Sequence, residues 1–530
     1  MELFLKENVK LEPLVLNWYA WPYLIPPHTA GSIIARKHLS IMESYLQSPE
    51  FHEEAVKSPT LIGGPFIDFE ERMPSEEMEA FISQTSQDSG QAINLFEDIR
   101  NILISLNTKD KGGSLDNLYS LLPDSLRGMV EFSYDLNNNP TVQFIEPIIY
   151  NKYYTPSWQS ICISETRTDY RPFSLSTPNI KAKEGLYLNI PFSSPVIDQM
   201  AAMRFSPADP RSIAEEMSLI GSEQEKFMSF FTSTPPSSNP SSSSKCEDGV
   251  RVRYFGHACV LIESPRSSIL IDPVISYQYH NDISRFTFAD LPETIDTILI
   301  THNHQDHILF ETLLQLRHKV KNIILPQNAP GSFQDPSLKL ILKSIGFHNV
   351  TVMDKFDSLK TDDMEIIALP FLGEHGDLNI HSKNSYFIKT EKRTFFFAAD
   401  SNNLDPPLYQ NIFSMVGKAD ICFIGMECVG APMSWLYGPL LPTPLSHHHD
   451  QQRRLDGSNF EKAWDILHYA QPREVYIYAL GQEPWLNYVM ATHYTEASPV
   501  MINAQKLIQA CKDHNITAKK LFAKDEWIYR

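Results

Sequence analysis

A dense group of metal-binding side chains at residues 301–307 constrains this chain more than any other feature of its sequence. The segment reads Thr-His-Asn-His-Gln-Asp-His and follows an apolar run, residues 297–300, that is typical of a buried strand. A tight loop at the carboxyl end of a strand can direct three imidazoles and a carboxylate to one place. Since these groups bind zinc, iron and copper, we predict a site for two adjacent metal ions, with His302, His304, Asp306 and His307 as ligands.

The composition limits the class of protein and its partners. A chain of 530 residues with 42% hydrophobic residues is expected to form two or more globular domains. Its formal net charge of -19 argues against nucleic acid or an anionic membrane as a partner, because phosphate contacts need concentrated Lys and Arg. The six cysteines form no Cys-x-x-Cys pair, and no signal segment or membrane span is recognisable. We therefore expect reduced thiols and a cytoplasmic location.

A Pro- and Ser-rich segment, residues 233–245, divides the chain and is predicted to be a linker. It separates an α+β domain over 1–232 from a metal-binding domain over 246–530. In the first domain we predict an extended, aromatic and Pro-rich arm over residues 17–27 that packs on a neighbouring domain or subunit. Three helices are predicted over 33–47, 75–85 and 90–106, and a strand over 141–149.

The second domain is predicted to consist of packed sheets covered by helices, because short strands dominate it. A helix with one apolar face is expected over 310–318, directly after the metal-binding segment, and another helix over 460–469. Strand patterns occur at residues 250–255, 260–263, 268–272, 297–300, 321–326, 350–353, 364–369, 386–389, 394–399 and 474–478.

Four short motifs in this domain resemble the metallo-β-lactamase fold, an αββα sandwich with metal ligands on loops at one edge. They are Gly256-His257, Ile271-Asp272-Pro273, the 301–307 segment and Ala399-Asp400. The resemblance implies that His302 and His304 bind one metal, that Asp306 and His307 bind the other, and that Asp400 bridges both. His257 and Asp272 are expected to orient the ligating imidazoles.

Two departures from the pattern of the hydrolases of this fold change the expected metal. Where they have a histidine before the bridging Asp, this chain has Glu374 followed by His375, and either side chain could reach the metal. The closing strand, 474–478, also lacks the histidine that hydrolases place after it, and His493 lies beyond the expected turn. Additional carboxylate and an open position favour iron over zinc, since hard oxygen donors suit ferric iron and O2 needs a free coordination site.

Further motifs are similar to those of the di-iron β-hydroxylases of nonribosomal peptide biosynthesis, and the likeness covers both domains. They contain Glu374, Asp400, Glu427 and the segments 434–441 and 481–485. The resemblance implies that one iron is bound by His302, His304, Glu374 and Asp400, and the other by Asp306, His307 and Asp400.

The same resemblance implies a reaction and its partners. The substrate would be an amino acid held as a thioester on a nonribosomal peptide synthetase carrier domain, and the β-carbon would be hydroxylated with O2 and electrons from a redox partner. The first domain would form a homodimer or dock the carrier. Glu374 and Glu427 are the candidate catalytic residues; for Glu427 a proton-relay role and a structural role are both open.

Other readings stay open at the level of sequence. The runner-up is a dizinc hydrolase acting on a lactone, thioester or phosphodiester, and a third class is a binding module with a degenerate site. Trp435 and Tyr437 either wall a substrate channel or pack in the core. Residues 447–450, His-His-His-Asp, are expected to form an exposed loop rather than a metal site.

Overall fold

The computed structural model describes residues 1–108, 112–180, 184–237 and 246–530. Most of the predicted linker, residues 238–245, lies outside the described residues. No helix in the described ranges is both long and apolar enough to cross a membrane.

The first region combines a four-stranded antiparallel sheet, in the order β3-β2-β6-β7, with nine helices and two further strand pairs, β4-β5 and β1-β8, in the part of the chain described. Its elements are β1 (Phe4–Leu5), β2 (Val9–Val15), β3 (Trp18–Tyr19), α1 (Pro27–Ile33), α2 (Leu39–Gln47), α3 (Pro49–Ala55), α4 (Ser75–Thr108), α5 (Asp116–Ser120), β4 (Val130–Tyr134), β5 (Pro140–Phe144), α6 (Glu146–Tyr153), β6 (Gln159–Glu165), β7 (Leu186–Leu188), α7 (Pro195–Ala202), α8 (Pro210–Glu216), α9 (Ser222–Ser229) and β8 (Phe231–Thr232).

The second region contains two seven-stranded sheets, ordered β14-β13-β12-β11-β10-β9-β22 and β15-β16-β17-β18-β19-β20-β21. Its elements are β9 (Val250–Gly256), β10 (Cys259–Glu263), β11 (Ser268–Ile271), β12 (Ile295–Leu299), α10 (Phe310–Leu316), β13 (Val320–Pro326), α11 (Leu338–Ser344), β14 (Val350–Met353), β15 (Ser358–Lys360), β16 (Met364–Leu369), β17 (Ser385–Thr390), β18 (Thr394–Phe397), α12 (Pro406–Val416), β19 (Ile421–Gly425), α13 (Ser434–Tyr437), α14 (His447–Gln452), α15 (Phe460–Ala470), β20 (Glu474–Tyr478), α16 (Asn487–Met490), α17 (Pro499–Asp513), β21 (Thr517–Lys520) and β22 (Asp525–Tyr529).

The two sheets pack face to face, which confirms the predicted αββα sandwich. Alternate side chains of both sheets, such as Ile269 and Phe397, share one apolar layer between them. Helices α12, α15 and α17 cover the outer face of the second sheet. The outer face of the first sheet is covered by α10 and α11 and by the first region, so that Trp18 and Phe96 share a core with Ile298 of β12.

Several predicted elements of the first region are wrong in detail. The helices predicted over 75–85 and 90–106 are one helix, α4, since a single Gly90 is tolerated when packing supports the helix. The strand predicted over 141–149 ends at Phe144, and α6 follows with a Pro in its first turn.

The aromatic segment 17–27 is not an extended arm. Pro22–Leu24 forms a 3-10 turn and α1 begins at Pro27, because Pro is tolerated in a first helical turn. The segment packs on the second region, where the Tyr23 hydroxyl donates to the carbonyl oxygen of Gln334 at 2.7 Å.

Two predictions in the second region also need correction. Helix α10 is buried on every side instead of having one apolar face, because α7 and β2 of the first region cover it. Residues 447–449 are exposed as predicted and Asp450 is half-buried, but the segment belongs to helix α14, whose first turn is capped by the Ser446 hydroxyl.

We expect Phe397→Ala to lower the free energy of unfolding by ~3–5 kcal/mol, because it leaves a cavity between the sheets. The Phe397 ring is fully buried and stacks on Phe423, with 4.6 Å between ring centroids. Denaturant unfolding followed by circular dichroism measures the change. The control Met415→Ala removes a side chain that is 66% exposed and should change the stability by less than ~0.5 kcal/mol. Equal losses in the two variants would contradict the packing described.

Candidate metal centre

The candidate site lies where the carboxyl ends of strands from both sheets meet. In the first sheet, β12 ends at Leu299 and the 301–307 segment follows it. In the second sheet, β18 ends at Phe397 and Asp400 follows three residues later. The two loops bring His307 Nε2 to 3.1 Å from Asp400 Oδ2. Residues almost a hundred positions apart therefore form one cluster at one edge of the sandwich.

Three overlapping groups of side chains are close enough to hold metal ions among the described residues. In the first, His304 Nδ1 lies 2.6 Å from Glu374 Oε1, and His302 Nε2 lies 3.7 Å from Glu374 Oε2. The other groups share His307. The three groups are His302, His304 and Glu374; His302, His307 and Asp400; and His257, Asp306 and His307.

The donors fit a pair of metal ions because several of their buried atoms have no hydrogen-bond partner among the described residues. His302 Nε2, Glu374 Oε2 and Asp400 Oδ1 are buried and make no hydrogen bond with the described residues. Buried polar atoms without partners are costly and rare in folded proteins. These atoms converge from three loops, which follow β12, β16 and β18, and bound cations would satisfy them.

The structure brings together all six predicted ligands, and it places Glu374 and His375 in different surroundings. Glu374 belongs to a donor group, whereas His375 Nε2 lies 3.2 Å from Asn303 Oδ1 and its ring stacks on that of His304. Glu374 adopts a left-handed backbone with φ of 68°, as do His257 and Asp272. Such strain in non-glycine residues persists only where the surrounding structure imposes it, and it concentrates at functional sites.

Asp272 holds the metal-binding segment in place, as predicted. Its carboxylate accepts hydrogen bonds from the Thr301 backbone N–H at 2.7 Å and the Thr301 hydroxyl at 2.6 Å. Oδ2, the oxygen that accepts from the Thr301 hydroxyl, also lies 2.8 Å from His307 Nδ1. This contact fixes the ring so that His307 Nε2 faces Asp306 and Asp400.

Two contributions were missed by the sequence reasoning. Tyr437 was predicted either to wall a channel or to pack in the core. It is buried, and its hydroxyl lies 2.8 Å from His304 Nε2, so this side chain also orients a predicted ligand. His257 was predicted only to orient other ligands, yet its Nε2 lies 3.0 Å from Asp306 Oδ2 within a donor group. The Gly256-His257 motif was the available signal for His257. Tyr437 lies in the 434–441 motif, but no sequence signal links it to His304, which is 133 residues away.

Burial and mutual charge set the protonation of the cluster. Burial lowers the pKa of His302 well below its usual value, and the neighbouring His307 and His304 lower it further. Burial raises the pKa of Glu374 to about 7, although His304 opposes this shift. Burial opposes protonation of His307, but the carboxylates of Asp400 and Asp306 outweigh it and raise its pKa well above the usual value. His302 is thus neutral, the form in which imidazole binds a metal.

A cavity of about 300 Å³ opens onto the cluster. Its wall includes His304, Asp306, Glu374 and Asp400, and also Ala479, which follows β20 where the hydrolases have a histidine. Residues 479–486, which follow β20, contain no histidine. The remaining wall contains Ile62, Gly63, Gln305, Glu427, Val429, Gly430, Ala431, Trp435, Leu436, Arg454, Leu455, Met490, Ala491, Thr492, His493 and Tyr494.

The other candidates lie around this cavity or away from it. Trp435 both lines the cavity and packs on the first region, since its indole N–H donates to the carbonyl oxygen of Gly63 at 2.8 Å. Glu427 faces the cavity, and burial raises its pKa to about 8. Among the described residues, neither Glu427 nor His493 joins a donor group, and neither do the exposed histidines 447–449.

Comparison with known proteins agrees with this arrangement. Residues 4–235 match the family described as the diiron non-heme beta-hydroxylase N-terminal domain, and residues 251–425 match the beta-lactamase superfamily domain. The chain is 39% identical to a 4-amino-L-phenylalanyl-[CmlP-peptidyl-carrier-protein] 3-hydroxylase of Streptomyces venezuelae, over 98% of each chain. It superposes on the crystal structure of CmlA, a diiron beta-hydroxylase from the same organism, with a TM-score of 0.93 and 38% identity, covering 100% of this chain and 99% of the other.

We expect Asp272→Asn to weaken metal binding about 10–100-fold, because an amide cannot replace the carboxylate that orients His307 and Thr301. Competition with a chelator measures the affinity, and circular dichroism checks the fold. Asp405→Asn is the matched control, since Asp405 is exposed and its side chain makes no cap hydrogen bond. Equal affinities in wild type and Asp272→Asn would show that the contact has no role in ligation.

Proposed function

The chain belongs to the di-iron non-haem β-hydroxylases, and from this we propose that it hydroxylates the β-carbon of an amino acid held as a thioester on a nonribosomal peptide synthetase carrier domain. The named relative acts on an aminoacyl group attached to a peptidyl carrier protein. The observation that carries the proposal is the donor set itself. Glu374 stands in place of a hydrolase histidine, and Ala479 leaves the cavity side of the cluster open.

We propose that one iron is held by His302, His304, Glu374 and Asp400, and the other by Asp306, His307 and Asp400. The support is the convergence of these side chains within three overlapping donor groups, with partnerless atoms on His302, Glu374 and Asp400. His257 is a further candidate ligand for the iron held by Asp306.

The chemistry divides between the metal pair and the chain. Bound iron supplies the redox capacity to replace a carbon–hydrogen bond by a carbon–oxygen bond, using O2, two electrons and two protons, with water as the second product. The residues of the chain orient the metal ligands and enclose the cavity. Asp272 and Tyr437 fix the rings of His307 and His304, and the first region closes one wall of the cavity through Ile62 and Gly63.

The reaction requires partners beyond the substrate carrier. Two electrons must come from an external donor, and a redox partner is therefore part of the proposal. A homodimer and a cytoplasmic location stay predictions. Exposed apolar side chains in the first region, Tyr119, Leu121, Ile145 and Ile148, offer a surface for dimerisation or for carrier docking.

The dizinc hydrolase of the same fold is the disfavoured alternative. The full-length likeness to a hydroxylase, including the first region, is not expected of a hydrolase that shares only the sandwich. The carboxylate of Glu374 in the donor set also favours iron.

The direct test is a mass measurement. Reduced, iron-loaded enzyme is incubated in air with carrier proteins that each bear a different aminoacyl thioester, and the acyl group is weighed. We expect one carrier-bound amino acid to gain a single oxygen atom, while the same amino acid free in solution is unchanged. Zinc-loaded enzyme is the control and should leave the acyl group intact. Release of the acyl group by zinc-loaded enzyme, without oxygen gain under any condition, would support the hydrolase instead.

A further inference from the structure

Glu427 is a carboxylate in the catalytic cavity that the metal cluster does not use. It lies two residues beyond Gly425, the last residue of β19, which runs parallel to β18. The Gly425 N–H donates to the carbonyl oxygen of Ala399 at 3.1 Å, and a Cβ at Gly425 would lie 2.8 Å from Asp400 Oδ1. The strand pairing thus places Glu427 beside the metal cluster but outside its donor groups.

The hydrogen bonds of Glu427 orient its carboxylate without neutralising it. The hydroxyl of Tyr494, which also lines the cavity, donates to Glu427 Oε2. The backbone N–H of Val429 is a second donor. A carboxylate can accept about four hydrogen bonds, so capacity remains for a ligand.

No positively charged side chain compensates this carboxylate in the described part of the chain. Among the residues that the structure describes, no Lys or Arg forms an ion pair with Glu427, and Arg454, which also lines the cavity, lies 3.9 Å from Asp456. Burial raises the pKa of Glu427 to about 8, and the nearby charge of Asp400 contributes. A cation from outside the chain would stabilise the ionised form at this position.

The proposed substrate carries such a cation close to its reacting carbon. In an aminoacyl thioester the carboxyl group is consumed in a neutral linkage, so the α-ammonium is the one charge of the amino acid backbone. Its nitrogen is separated from the β-carbon by two covalent bonds of about 1.5 Å each. Whatever holds the ammonium therefore also fixes the distance of the β-carbon from the metal cluster.

We propose that Glu427 binds the α-ammonium group of the carrier-bound aminoacyl thioester, with Tyr494 orienting the carboxylate, and so selects aminoacyl over des-amino acyl substrates. This inference rests on the proposed function. A site built to bind a polar group rejects an analogue without it strongly, because its own buried group is then left unpaired.

The test compares two substrates on one carrier protein. The carrier is loaded with the amino acid that the enzyme hydroxylates, or with the same acyl chain lacking the α-amino group. The dissociation constant of each loaded carrier and kcat/KM for oxygen gain are measured with iron-loaded enzyme. We expect wild type to prefer the aminoacyl carrier by about 100-fold in kcat/KM. Glu427→Gln should reduce this preference to less than about tenfold, with an unchanged iron content.

The matched control is Glu496→Gln, because Glu496 is exposed, lies two residues from Tyr494 and forms no ion pair among the described residues. It should keep the full preference. If Glu427→Gln does not fold or bind iron, Tyr494→Phe replaces it and should lower the preference by about tenfold, as expected for one lost hydrogen bond to a charged group.

The outcomes separate this inference from the function on which it rests. Equal use of the two carriers by wild type overturns the role of Glu427, and so does an undiminished preference in Glu427→Gln. Wild type that hydroxylates neither carrier contradicts the proposed function, and the role of Glu427 falls with it.

Discussion

The structure depends on a group of imidazoles and carboxylates withdrawn from water and left without enough partners in the protein. In the described part of the chain, His302, Glu374 and Asp400 each keep a buried polar atom without a hydrogen-bond partner, which costs stability unless a ligand is present. The rest of the second region maintains this arrangement. The sheets bring two loops together, Asp272 fixes one of them, and left-handed backbone at His257, Asp272 and Glu374 aims the side chains. The apolar layer between the sheets provides the stability that keeps these loops in place.

The first region takes part in the site. The Asn303 side chain, inside the metal-binding segment, donates to the Tyr23 hydroxyl at 3.1 Å. Arg171 pairs with Glu311 of α10 at 2.9 Å and lies 3.6 Å from the ring centre of Tyr488, which precedes the cavity wall at 490–494. A metallo-β-lactamase-type sandwich alone would leave these contacts and one cavity wall unmade. This explains why both regions of the chain share their likeness with one hydroxylase.

Much of the second region could be predicted from sequence because its signals are local. The strands at 350–353, 364–369 and 474–478 have the predicted bounds, since each is a short apolar or alternating run. The 301–307 segment carries four donors in one loop, and it identifies a metal site without knowledge of the fold. Glu374 was found through its difference from the hydrolases, which needs a family pattern for comparison.

What the sequence did not reveal depends on contacts between distant segments. No sequence pattern indicates the hydrogen bond between Tyr437 and His304, because the two residues lie in distant segments. Helix α10 is buried on both faces only because another region covers it. Helix α4 continues through Gly90 since packing outweighs a local preference of about 1 kcal/mol. Tertiary contacts determine each of these three features. The spacing of apolar residues in the sequence indicates only local structural preference.

Two iron ions are expected to occupy this cluster with a carboxylate-rich ligand set. Crystals of iron-reconstituted protein, measured on both sides of the iron absorption edge, test this occupancy most directly. We expect two anomalous peaks at the edge of the sandwich, one bound by Glu374 and both in contact with Asp400. A single peak, peaks at the zinc edge alone, or metal bound at residues 447–449 instead would contradict this account.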